Sequence, residues 1–433
     1  MAWLEWFLML MVPLLVAMAL GLPVAFAFIA VNVIGAAALL GFGVGVGQLV
    51  SNMTAGVTTY ALAPVPLFLL MGSLFFHSGL ARRVLDAVDM MIGRVPARLS
   101  YVTVATGTLF AALSGSSLAN TGMLGTLMVP EMRRRGYKNH MALGPILGSG
   151  GLAVIIPPSA LAVLLGSLAQ IDIGALLLAG LVPGVILAVL YAGVIYVQSR
   201  IDPSAAPYYV PEDVPLARRI VVVLREVAPM SIIVAAVVGT ILTGTATPTE
   251  AAALGTLAVL ILAIAYRALS WDSIRKSLDD TTRVTGMTFL LITASSTYSQ
   301  LLAFSGASSG LVRWATGFDV GALGILLLML LVLLVLGMLM DQVSMMLITL
   351  PVFLPLAMTY GFDPIWFGLL MLLMLEVSFT TPPFGLLLFV MQGVAPPGTS
   401  LGTIARAATP YIGCVFLLIA LLIAFPQVSE VFR

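Results

Sequence analysis

Residues 113–121 read Leu-Ser-Gly-Ser-Ser-Leu-Ala-Asn-Thr and residues 156–159 read Ile-Pro-Pro-Ser, a polar cluster and a double proline set inside otherwise apolar sequence. Within a bilayer an unwound backbone is tolerated only where protein or a water-filled cavity covers it, and helices broken at that depth are a feature of transporters. Both interruptions have counterparts downstream, and that decides the fold. A constant shift of 225 places Pro23 on Pro248, Pro130 on Pro355, Gly136 on Gly361 and Pro157-Pro158 on Pro382-Pro383. Four of the ten prolines before residue 200 thus find partners, where chance gives roughly 0.6, so the chain contains an internal repeat. A shift of 227 adds Ser78-Gly79 on Ser305-Gly306 and Pro183 on Pro410, which implies a small insertion on either side of the first hairpin.

The sequence around the breaks is that of a membrane protein. Of 433 residues, 61% are hydrophobic and 9% charged, and the mean hydropathy is +1.14; an average soluble domain is roughly 45–50% apolar and 25% charged. With about 20 apolar residues needed per span, the chain supplies about a dozen, so the expected class is an all-α polytopic membrane protein. Nineteen basic and eighteen acidic residues leave a net charge of +1, which provides neither a basic surface for nucleic acid nor an acidic tail. One cysteine, Cys414, excludes intramolecular disulfides and cysteine-based metal clusters. The N-terminus, MAWLEWFLML, has no basic segment ahead of its apolar run and reads as a retained first span.

With the N-terminus outside, and residues 99–135 and 320–360 read as hairpins that return to their side of entry, every lysine and arginine except Arg313 and Arg433 falls on one side. That side is the cytoplasm by the positive-inside rule. The first hairpin then enters from inside and the second from outside, so the repeat is inverted. The expected first half is 1–198, with an inner interfacial arm at 81–98, the hairpin and a broken helix at 141–169. A Pro-rich, charged cytoplasmic linker covers 199–226. The second half is 227–433, with an interfacial arm at 271–283, its hairpin and a broken helix at 364–394. Both arms are amphipathic and too charged to span.

Inverted repeats with matched breaks bring helix termini and freed carbonyls of both halves to the midplane, where solute and coupling ion bind. The cluster Ser114-Gly115-Ser116-Ser117 with Asn120, and its mate Asp341-Gln342-Val343-Ser344, offers hydroxyl, amide and carbonyl oxygens suited to a small hard cation such as sodium. Helix N-termini at the same tips favour anions. The turns Ile156-Pro157-Pro158-Ser159 and Thr380-Thr381-Pro382-Pro383 lack amide donors, which frees the carbonyls before them. Small-residue packing or a plain kink explains one such feature, but less readily two at equivalent positions.

Three acids lie in apolar context: Asp341, as ion ligand or gate partner; Glu376, as proton carrier or partner of the unwound backbone; and Glu250, which equally suits a helix start after Pro248. His77 and His140 sit apart at inner boundaries, and HExxH, GxSxG and GxxxxGK[ST] are absent, so metalloprotease, serine-hydrolase and ATPase readings lack their residues.

The runs SGSSLANTGMLGTLMVPEMRRRGY (114–137), IIPPS (155–159), IDIGALLLAGLVPG (171–184), TPTEAAALG (247–255), MDQ (340–342) and TTPPFG (380–385) resemble the large membrane (M) subunit of tripartite ATP-independent periplasmic (TRAP) transporters. In order and spacing the resemblance covers nearly the whole chain. It implies an elevator-type secondary transporter of the bacterial inner membrane, coupled to sodium ions and without other cofactors. It also implies a small integral membrane subunit, expected here as a separate polypeptide, and a periplasmic solute-binding protein that delivers an organic anion.

Carried onto matching positions, the ion and substrate sites involve Ser114, Gly115, Ser116, Ser117, Asn120, Pro157, Pro158, Ser159, Asp341, Gln342, Thr380, Thr381, Pro382 and Pro383. Ser116, Ser117, Asp341 and Thr381 are the expected sodium ligands. The outer loops 305–319 and 360–364, with Asp319 and Asp363, are expected to help dock the binding protein. The alternative is a proton-coupled or stand-alone carrier that titrates Asp341 or Glu376.

Overall fold

The computed structural model describes residues 3–58, 60–208, 215–317, 320–338, 340–382 and 385–430. Among them the first half runs α1 (Trp3–Ala19), α2 (Val24–Leu40), α3 (Phe42–Thr58), α4 (Pro64–His77), α5 (Leu80–Met91), α6 (Arg98–Ser114), α7 (Ser117–Arg134), α8 (Asn139–Gly151), α9 (Ala160–Ala169), α10 (Ile173–Ala179) and α11 (Leu181–Ile201). The remainder runs α12 (Leu216–Glu226), α13 (Ala228–Leu242), α14 (Pro248–Ala265), α15 (Trp271–Phe304), α16 (Ala307–Thr316), α17 (Ala322–Gly337), α18 (Gln342–Thr359), α19 (Pro364–Thr380), α20 (Leu386–Val394) and α21 (Leu401–Ala424). The described residues form no strands, and the protein is an all-α, multi-pass membrane protein.

The element boundaries repeat as the prolines do. Both ends of α7 fall on both ends of α18 at the same shift of 225, and the first residue of α8, Asn139, falls on the first residue of α19, Pro364. Gly136 and Gly361, just past α7 and α18, share a left-handed backbone (φ 78° and 77°) that reverses the chain at a helix end and that glycine adopts without steric cost. The helices sort by packing into two groups. Helices α2, α3, α4, α13, α14 and α15 pack on one another, and α6 to α9 pack with α11 and α18 to α21. The second group is interleaved. Helix α7 packs against α20 of the other half, so closely that a Cβ on Gly125 would collide with Val394 Cγ2, and α18 reciprocally touches α9.

Four features differ from the sequence reading. Among the described residues, five helical segments are individually long and apolar enough to cross a membrane, Tyr60–His77, Ile173–Ile201, Pro248–Ala265, Gln342–Thr359 and Leu401–Ala424, or six with the bent pair Ala217–Glu226 and Ala228–Leu242 taken as one span, rather than about a dozen. Others, such as α1 and α2, have 17 residues, about 26 Å at 1.5 Å per residue, because turns and breaks cut the apolar runs short.

The expected arm 271–283 is not a separate element but the start of the 34-residue α15. In the first half the equivalent length is split into α3 and α4 by Pro64 and Pro66, whose mates at the shift of 227 are Leu291 and Thr293. Proline at an interior position removes a donor and clashes with the preceding turn, so only the first half breaks. Within the expected linker, Leu216–Glu226 is helical and meets α13 at a 43° bend.

The fourth is α3, an element that the sequence reading did not place, in a stretch that carries Gly43, Gly45 and Gly47. It is held by polar contacts with α15: Asn52 Nδ2 donates to Gln300 Oε1 at 2.7 Å and Gln48 Nε2 to the same oxygen at 3.2 Å. At the linker end, Lys138 Nζ lies 2.6 Å from Asp202, and this contact together with the Ser204 hydroxyl holds the Asp202 carboxyl down at about 2.

Candidate functional site

The first hairpin turns because three local rules act in sequence. Helix α6 ends at buried Ser114, Gly115 takes a left-handed conformation (φ 57°), and extended Ser116 caps α7 by accepting the Ala119 amide at 3.4 Å. This tip rests on the proline break that follows α8. A Cβ on Gly115 would lie 3.1 Å from the Pro158 carbonyl oxygen and 3.4 Å from the Ala160 nitrogen. Fully buried Ser159 restarts the helix by accepting the Ala162 amide at 3.2 Å. One turn into α7, buried Asn120 donates through Nδ2 to the Gly107 and Ser149 carbonyls, both at 3.1 Å, and so ties both hairpin helices to α8. Its Oδ1 is buried without a hydrogen-bond partner, as is Thr121 Oγ1 beside it.

In the second hairpin Asp341 occupies the capping position. Its Oδ1 accepts the Val343 and Ser344 amides at 3.1 Å each, and the Ser344 hydroxyl donates to Oδ2. Asp363 caps α19 in the same way, from the Ile365 and Trp366 amides at 3.0 and 2.9 Å. The Thr380 and Thr381 hydroxyls turn back onto the Val377 carbonyl at 3.0 and 2.6 Å, where α19 gives way to extended backbone at Thr381. Pro382 follows in the turn; Pro383 and Asp319 lie outside the described residues.

Glu250 is committed to a capping box with Thr247 at the exposed start of α14, where its carboxylate accepts the Thr247 amide at 2.7 Å. His77 pairs with Asp280 at 2.7 Å.

The two tips meet at Glu376, named among the acids but not among the expected site residues. Ser117 Oγ donates to Glu376 Oε2 at 3.1 Å. Gln342, the repeat mate of Ser117 and likewise the first residue of its helix, donates through Nε2 to the Leu375 carbonyl at 3.1 Å and to the same Oε2 at 3.5 Å. The N-termini of α7 and α18 therefore face one buried carboxyl group, which accepts from the first residue of each helix. Glu376 is 2% exposed, and its Oε1 has no partner and lies over Gly151. The repeat could have pointed here, since the shift of 225 also relates Ser117 to Gln342 and Gly151 to Glu376.

The arrangement suits a small hard cation near oriented oxygens and an anion near helix N-termini. Because Asp341 spends both oxygens on its own helix start, Asp341→Ala is expected to cost about 1 kcal/mol through the lost cap and Asp341→Asn only a few tenths. Thermal unfolding in choline chloride measures both; equal losses would mean that the negative charge matters beyond capping.

A family model for the tripartite ATP-independent periplasmic transporter, DctM component, matches residues 11–428. The chain is 30% identical over 371 residues to the C4-dicarboxylate TRAP transporter large permease protein DctM of Pseudomonas aeruginosa, covering 86% of this chain and 85% of that protein. It is 28% identical over 410 residues to the sialic acid TRAP transporter large permease protein SiaM of Vibrio cholerae, covering 94% and 93%. In fold it is similar to the YdaH transporter of Alcanivorax borkumensis, with a TM-score of 0.65 over 90% of each chain at 13% identity.

Proposed function

Because the chain belongs to the DctM family of tripartite ATP-independent periplasmic transporters, permease subunits rather than enzymes, we propose that it is the large membrane subunit of a sodium-coupled importer of an organic anion. The family implies a small membrane subunit and a periplasmic solute-binding protein as partners. The binding protein hands over a carboxylate-bearing solute, and the complex sits in the bacterial inner membrane. Relatives named for C4-dicarboxylates and for sialic acid support a carboxylate-bearing cargo.

The two helix groups support an elevator mechanism, in which α6 to α9, α11 and α18 to α21 slide as an inverted-repeat unit past α2 to α4 and α13 to α15. Sodium coupling is carried by one observation, the buried Asn120 Oδ1. Both protons of the amide are directed at carbonyls, so its oxygen must face the other way, and a buried acceptor without a partner is costly unless a donor or cation meets it. Ser114, Ser116, Ser117 and the carbonyls around Pro157 and Pro158 lie at the same tip, while Gln342, Thr380 and Thr381 line the second.

Thermal unfolding of the purified protein in sodium, potassium and choline chloride tests this reading. Sodium at 100 times its dissociation constant is expected to add about 2.7 kcal/mol, an increment absent from the other salts and lost in Asn120→Leu. If the three salts give one curve and only pH moves it, the carrier is proton-coupled. Glu376 is then the acid to test, since Asp341 is engaged in its cap.

A further inference from the structure

We infer that Glu376 is a positioning residue that ties the two hairpin tips into one unit, so that an ion held at one tip is felt at the other. The inference rests on the transporter reading above and adds to it a residue that the expected ion and substrate set omits. Ser117 and Gln342 occupy equivalent positions in the two halves, and both donate to Glu376 Oε2. Each is the first residue of its helix, immediately after the capping residue Ser116 or Asp341, so a shift of either tip must move a donor of this carboxylate.

The carboxylate itself has little freedom. It is 2% exposed, it extends from the fully buried turn Leu375-Glu376-Val377 of α19, and Gly151 of α8 leaves the room that Oε1 occupies. Its other neighbours, Thr380, Tyr191 and Tyr411, line a small cavity, so on that side no formal charge among the described residues competes with the two donors. A buried acceptor shared by two elements couples their positions.

A set of mutant cycles in sodium-free buffer reads the link directly. With Glu376 present, the melting-temperature losses of Ser117→Ala and Gln342→Ala are expected to be non-additive, the double variant losing less than their sum by about 2 °C or more. In a Glu376→Ala background the same two changes are expected to add. Should Glu376→Ala not fold, Glu376→Met fills the space without accepting and replaces it. Additive losses with Glu376 present overturn the proposal.

The second readout is the sodium dependence of stabilisation. Glu376→Ala is expected to raise the half-saturating sodium concentration at least tenfold. Glu376→Gln, which still offers one oxygen to both donors, should stay within threefold of the unmodified protein. A structural defect alone would lower melting temperature and leave the half-saturating sodium concentration where it was, and that result, or Gln behaving as Ala, also overturns the proposal. If the unmodified protein shows no sodium effect, the sodium reading fails while the mutant cycles still decide the link.

Discussion

Gly151→Ala is expected to lower stability by about 3 kcal/mol and to abolish solute uptake, although it adds one methyl group. A Cβ at this position would collide with Glu376 Oε1 and lie 2.5 Å from Cδ and 2.8 Å from Cγ, so rotating the terminal carboxylate is not enough and the whole side chain must leave. Leaving breaks the contacts with Ser117 and Gln342 and strands the carboxyl group in a buried site without partners, which costs the full desolvation penalty of that group. The combined variant Gly151→Ala with Glu376→Gln is expected to recover less than half of the loss, because the glutamine side chain fills the same space and the collision remains. Thermal unfolding and uptake on the same preparations check this; a Gly151→Ala protein with unchanged melting temperature would mean that the carboxylate has room that its contacts do not indicate.

Gly72→Val is the second large effect, and its cause is different. Gly72 lies on α4, and a Cβ there would sit 2.5 Å from Ser114 Cα, 2.9 Å from the Ser114 carbonyl oxygen and 3.0 Å from the Leu113 carbonyl oxygen. Every obstacle is backbone, so no rotamer change relieves it. In membranes, where lipid is as apolar as any side chain, small residues that let backbones approach are what hold helices together. A valine must therefore push the first hairpin off α4 and displace Ser114 to Ser117 together.

The expected result is loss of uptake and of sodium-dependent stabilisation, with a fall of about 3 kcal/mol or less in the unliganded protein, since the tip can move as a body. Gly72→Ala should show the same losses in weaker form. Wild-type uptake by Gly72→Val would show that the hairpin does not need its seat on α4 during transport.

Much of the site could be read along the chain because helix starts are local events. Ser116, Ser159 and Asp341 accept amides two or three residues ahead, and Thr247 with Glu250 closes a capping box over the same distance. Such contacts depend on residue type and spacing alone. The same locality limits the reading of Asp341, an acid in apolar context, and of Asp363, expected at a docking loop: each caps its own helix, so charge reversal at Asp363 would uncap α19 before it tested any docking surface.

Where the sequence reading departed from the structure, the deciding contact lay elsewhere in the chain. Helix α3 is one case: Gly45 packs closely on Ala36, and Gln48 and Asn52 bond Gln300, in the other half of the chain. The single helix α15 reflects prolines it lacks and its repeat mate possesses, which only a comparison of the two halves reveals.

By itself, then, the sequence determined the membrane class, the two-fold internal repeat, the hairpins and the points where helices stop, because hydropathy, proline chemistry and capping act over a few residues. The tertiary structure alone decided that Glu376 is the residue on which both tips converge, that Asn120 presents its oxygen rather than its amide protons, and that Gly72 and Gly151 admit no side chain. Those facts depend on which faces of distant helices approach and how closely, and they follow from packing across the repeat, which local sequence does not encode.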